Sequence, residues 1–344
     1  MLRSNFFHFR FFWIAIALCL FSGCINRQAD EVVVLSALDR EFSAEVLEDA
    51  QADLKIPLRI KYDVESNKTV GLTNEIIRNK QRPRADLFWN NEILHTIRLE
   101  KLGLLEPVDA SRQSRFAERF VSPSGHWFGL AARARVLIVN TDLLPDADQR
   151  PTSFTDLADS RFAGKCTLAR PLFGTSATHA AVMFDILGET QAVELYQKIA
   201  GNAVIQGGNK QVAEKVASGE FLFGLTDTDD ALVELDAGRP VTVVFPDQGD
   251  DGSGALLIPN TLCVIKNGPN TAGAKRLLKR LLAADVESHL ANGRSGQIPL
   301  ADDVKEKSRV VPEDLKVMKV DFDSAADQWE AASIQLKAIF PLGQ

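Results

Sequence analysis

Apolar runs of strand length alternate along this chain with stretches whose apolar residues recur at helical spacing. Val32, Val33, Val34 and Leu35 make the first run, and residues 40–54 follow with Phe42, Val46, Leu47, Ala50 and Leu54 on one helical face. The alternation continues with a strand at 58–62, a helix at 69–80 and an apolar run at 85–89 that ends in Asn90, Asn91 and Glu92. A second series starts at the strand 133–140 and places strands at 166–169, 203–205, 221–225 and 241–245, with a helical run after residue 178. The strand 255–265 and an amphipathic helix at 272–282 come after it. Strands and helices in this order predict an α/β protein with a largely parallel sheet.

With 344 residues, the chain holds enough apolar material for two cores. We divide it into a first part of lobe 1 (32–132), lobe 2 (133–257) and a return segment with C-terminal helices (258–344) that completes lobe 1. No repeat or long Gly/Ser linker interrupts it, so the lobes are expected to be closely joined. Ligands of such sheets bind beyond the carboxyl ends of strands, which directs attention to residues 36–39 and 90–92.

The N-terminus carries a targeting signal. Arg3 and Arg10 precede an apolar stretch at 11–21, and Ser22 and Gly23 lead to Cys24. Residues 1–23 read as a signal peptide, with an apolar run shorter than the ~20 residues of a spanning helix. The small residues before Cys24 resemble the bacterial lipobox, which implies acylation of Cys24, a polar tether at 24–31 and an extracytoplasmic, lipid-anchored protein. The formal charge is −7, and losing Arg3 and Arg10 takes it to −9. With no basic run, nucleic acid is excluded as the main partner. Of the four cysteines, Cys166 and Cys263 remain in the mature chain, both in apolar runs, and are expected as buried free thiols.

From Val32 to Leu300 the order of motifs resembles the type II periplasmic solute-binding proteins of the ferric-iron-binding family. The landmarks are the Ala85-Asp86-Leu87-Phe88-Trp89 run, Leu102 to Pro107, the strand from Arg133 to Asn140, Ser153 to Ala158 with Gly164-Lys165, and Val216 to Glu220. The resemblance implies a two-lobed type II fold, with a mainly parallel sheet in each lobe and a hinge cleft between them that clamps ligand. It further implies a monomer that hands its ligand to an ABC transporter permease. The likeness departs at the metal ligands: the family's His position falls on Asp39, its Glu position on Asn91 with Glu92 adjacent, and its Tyr pair on Asp229 and Asp230. Tyr62 and Tyr196 are the only tyrosines, and neither stands at that place.

What these residues offer is oxygen. Asp227, Asp229 and Asp230 gather at a strand end, and with Asp39 and Glu92 from the other lobe they suit a hard cation or an organic amine. Asp39, Glu92, Asp229 and Asp230 are the candidate metal ligands. Asp227 or Thr228 serves equally as a helix cap. An EF-hand is excluded, because the sixth position from Asp227 is Leu232 rather than Gly. Thr175, Ser176 and Thr178 sit at a helix start, where free amides and hydroxyls suit an anion or simply cap the helix. By the family likeness Asn209 joins them. His179, one residue on, reads as a packing or surface residue. Arg133 and Arg135 share one strand face, pairing with a ligand anion or with cleft carboxylates, or closing a salt bridge across the hinge. Trp89 offers either a stacking surface or a core side chain.

No nucleophile elbow, phosphate loop or zinc-protease helix motif is present, which argues against an enzyme. A hydrolase or transferase using paired carboxylates is the alternative of another class. As a carrier, the protein is expected to need no resident cofactor and to transport iron(III) or another cation, with an accompanying anion. Polyamines, thiamine and phosphonates are the alternative cargoes.

Overall fold

The computed structural model describes residues 30–63, 69–109, 115–305 and 307–341. Cys24 and the signal segment lie outside them. The first lobe opens with strand β1 (Val32–Ser36), helix α1 (Arg40–Leu54), β2 (Leu58–Tyr62), α2 (Val70–Arg78), β3 (Leu87–Asn90), α3 (Leu94–Lys101) and β4 (Leu105–Glu106). Strand β5 (Trp127–Asn140) leads into the second lobe, built from β6 (Cys166–Ala169), α4 (Gly174–Leu187), α5 (Glu189–Asn202), β7 (Val204–Gln206), α6 (Asn209–Ala217), β8 (Phe223–Asp227), α7 (Thr228–Asp236) and β9 (Val241–Val244). Strand β10 (Leu257–Ile265) returns, followed by α8 (Thr271–Leu281), α9 (Ala284–Asn292) and α10 (Phe322–Ile339).

The strands form one sheet in the order β2-β1-β3-β10-β5-β8-β6-β7, with β4 on β10 and β9 on β5. Within each lobe the expected parallel strands are present, β1 between β2 and β3, and β6 between β7 and β8. The antiparallel pairs all involve the two crossing strands, β5 and β10. Along β5, Trp127 to Ala134 pair with β10, and from Arg135 onward the partner is β8. Just before this exchange the register shifts by one residue opposite Pro259 and Asn260, leaving Ala131 as a bulge with φ of 49°. Bulges bend a strand and sharpen its twist, which suits the passage between lobes. The buried Glu287 carboxylate of α9 accepts the Ala131 N–H at 2.7 Å, and Asn260 Nδ2 donates to the carbonyls of Leu130 and Ala131.

Helix α10, grouped with lobe 1 by its place after the return strand, packs on α4 and α5 of lobe 2 as well as on α3 of lobe 1. Polar contacts fasten both sides: Lys101 Nζ lies 2.5 Å from Asp327, and Ser324 Oγ donates to Asp185 at 2.5 Å. Cys166 and Cys263 are buried free thiols, as expected. No described helix is long and apolar enough to cross a membrane.

Candidate ligand-binding cleft

Strand ends from both lobes converge on one cleft with about 410 Å³ of empty space, part of it open to solvent. Asp39 and Asn91 line it from lobe 1, and Arg133 from the crossing strand. Lobe 2 contributes Arg170, the Gly174–Ser176 turn, Gly207 to Asn209, Asp227 and Asp230. Gly174 adopts φ of 53° at the first position of α4, a conformation that suits glycine, and so brings the helix start to the cleft. The carboxyl-end rule therefore holds on both lobes: Asp39 lies beyond β1, Asn91 beyond β3 and Arg170 beyond β6.

The cleft floor is a largely buried polar network. Arg135 faces Asp227 across the β5–β8 ladder and donates to its Oδ1 at 2.7 Å. Asp227 Oδ2 accepts from Thr175 Oγ1 at 2.6 Å and Asn209 Nδ2 at 3.0 Å. Arg135 also donates to Thr175 Oγ1 and Asn209 Oδ1 at 3.2 and 3.1 Å, and to Ser176 Oγ at 3.2 Å. Burial alone would raise the Asp227 pKa, but Arg135 first and Arg133 second outweigh it and hold the carboxyl below its usual range. Asp227 makes no side-chain cap on α7, so the capping alternative gives way to this ion pair. The same network uses the hydroxyls of Thr175 and Ser176 in place of simple capping.

Arg133 sits one alternation away on the same strand face, with Nη1 3.6 Å from Asp227 and 3.7 Å from Asp229. Its Nη2 donates to the Asn91 carbonyl, and Thr69 donates to the Asn91 side chain. Burial disfavours the Arg133 charge, yet Asp229, Asp227, Asp230 and Asp39 more than offset that and raise its pKa. One oxygen from each of Asp227, Asp229 and Asp230 lies within 4.8 Å of the others.

Glu92, Thr178 and Trp89 do not line the cleft. The Glu92 carboxylate is wholly buried and accepts from Asn90 Nδ2 at 2.8 Å, the His95 N–H at 3.1 Å and Thr178 Oγ1 at 2.8 Å. Burial pushes its pKa up, and the neighbouring His95 with the Thr178 and Asn90 hydrogen bonds brings it down below the ordinary value. Glu92 and Thr178 thus join the lobes behind the cleft. Trp89 is fully buried because β3 runs between β1 and β10 in the centre of the lobe 1 sheet, so it is a core side chain with no ligand-stacking face. His179 is also buried, its ring 4.4 Å from that of Phe154. Arg170 also lines the cleft although no motif marks it; its place just after β6 is the signal that finds it.

The family described as bacterial extracellular solute-binding protein matches residues 92–328. The chain belongs to this family. It is therefore a solute-binding protein of an extracytoplasmic class rather than an enzyme. Iron uptake protein A2 of Synechocystis sp. is 27% identical over 213 residues, covering 58% of this chain and 60% of that protein. A putative 2-aminoethylphosphonate-binding periplasmic protein of Salmonella typhimurium is 26% identical over 239 residues, 68% of this chain and 67% of that one. Iron-bound HitA from Pseudomonas aeruginosa superposes with a TM-score of 0.80 at 18% identity, covering 89% of this chain and 99% of HitA. That likeness shows the two-lobed fold.

Proposed function

We propose that this solute-binding protein captures iron(III) together with an oxyanion in the interlobe cleft and presents it to an ABC transporter permease. The observation that carries the reading is the meeting of Asp39 from lobe 1 and Asp230 from lobe 2 with the helix start at Thr175 and Ser176 and with Asn209. Carboxylate oxygens suit a hard cation, and a helix N-terminus backed by Arg135 suits the anion. The relatives named for iron uptake support iron as the cation. Asp229 stands behind Asp230 as a further candidate oxygen donor, whereas Glu92 is engaged in its own buried contacts. A second reading, an aminoalkylphosphonate, draws on Arg133 and Arg170 in the cleft wall and on the absence of tyrosine among its lining residues.

Replacing Asp39 or Asp230 with Asn is expected to weaken iron(III) binding by about a hundredfold, roughly 3 kcal/mol, with the melting temperature of the unliganded protein held within a few degrees. Titrations of iron(III) citrate into each variant check this, and wild-type affinity in both would refute the assignment of these oxygens. We place the protein at the membrane through acylated Cys24, as a monomer. Cys24→Ser is expected to move it from the membrane to the soluble fraction, and retention in the membrane would count against the anchor.

A further inference from the structure

The carboxylates at the start of α7 look like an invitation to a metal ion, but a side chain of the protein already stands among them. Arg133 reaches Asp227 and Asp229 with Nη1 and gives Nη2 to the Asn91 carbonyl, so one guanidinium touches lobe 2 and lobe 1 at once. Only 3% of the residue is exposed, it lines the cleft, and its buried Nε has no hydrogen-bond partner among the described residues. A guanidinium fixed among carboxylates on the cleft wall sets the charge that an entering ligand meets.

We propose that Arg133 is a tethered counter-cation and the specificity-determining residue of the cleft. It excludes bare metal ions and admits a cation only when that cation arrives with an oxyanion. The inference rests on the cleft being the ligand site, and it narrows the cargo to a class. A trivalent ion near Asp230 meets a fixed positive charge at close range, in surroundings that screen poorly. An oxyanion bound between the two cancels that repulsion. A metal–oxyanion complex and an organic zwitterion both meet this requirement.

Terbium(III) luminescence in chloride buffer free of oxyanions is the test, because it reads bare-cation binding without reference to the natural cargo. The wild type is expected to bind terbium weakly. Arg133→Gln should bind one ion per chain at least about tenfold more tightly, and Arg133→Gln with Asp229→Asn should lose that gain. Arg133→Lys keeps a charge beside the carboxylates and should bind terbium as weakly as the wild type, which separates loss of the charge from loss of the guanidinium shape. If Arg133→Gln does not fold, the neutral Arg133→Met decides. Wild-type terbium affinity in a folded Arg133→Gln or Arg133→Met variant overturns the proposal. Iron(III) citrate and 2-aminoethylphosphonate, titrated into the wild type, separate the two sources. A response to the phosphonate alone would end the iron reading while leaving the role of Arg133 intact.

Discussion

Asp227→Asn is expected to lower the stability of the unliganded protein by roughly 3 to 5 kcal/mol, the cost of leaving a buried charge without its partner. Arg135 would lose its 2.7 Å ion pair, Arg133 one of its two carboxylates, and Thr175 and Asn209 a shared acceptor. These residues form the floor of the cleft, so ligand binding should fail along with stability. The effect also depends on pH. A carboxyl whose folded pKa is depressed stabilises fully above its unfolded value, near 4, and the contribution disappears as pH falls through the folded value. Urea unfolding of wild type and variant at pH 7 and at pH 3 should therefore show a gap that narrows in acid. A gap below about 1 kcal/mol at pH 7 would mean that the network is no more than an exposed ion pair in worth.

The second large effect concerns His179. Its imidazole is buried with neither ring nitrogen hydrogen-bonded among the described residues, and burial, then Arg135, pushes its pKa down to about 3. The unfolded chain takes up that proton near pH 6.5 and the folded protein does not, so the stability tied to the neutral ring is complete above pH 6.5 and lost on the way to pH 3. At 1.4 kcal/mol per pH unit, acidification from pH 6.5 to 4 should remove roughly 3 kcal/mol through this residue. His179→Leu, close in volume and without a titrating group, should flatten the stability profile between pH 6.5 and 4 relative to wild type. Parallel profiles for the two proteins would show that the ring is hydrated or charged in the folded state.

Much of this architecture could be read in advance, because each lobe pairs short apolar strands with amphipathic helices and the two periods differ. Strand ends also pointed to Asp39, Asn91, Asp227 and Asp230. What periodicity does not carry is register. Arg135 and Asp227 are 92 residues apart and meet only because β5 and β8 pair antiparallel at those positions. Strand alternation already put Arg133 and Arg135 on one face within reach of cleft carboxylates; the pairing adds that Asp227 is their shared partner, so the acidic cluster is a balanced one. Glu92 illustrates the same limit: its neighbours in sequence suggested a cleft ligand, whereas Thr178 of the other lobe engages it in the buried interior. Trp89 looked equally at home in a cleft or a core, and the central position of β3 decides for the core. Helix α10 drew no assignment to lobe 2, since nothing local to its sequence says which helices it will cover.

The most direct test of the central claim is a calorimetric titration of iron(III), supplied as its citrate complex, into the purified protein, with metal-free citrate and 2-aminoethylphosphonate run separately. We predict saturable binding of one iron per chain, a melting temperature that rises with ligand concentration as mass action requires, and loss of both in Asp230→Asn. Saturable binding of the phosphonate with no response to iron would contradict the claim and assign the cleft to an organic zwitterion.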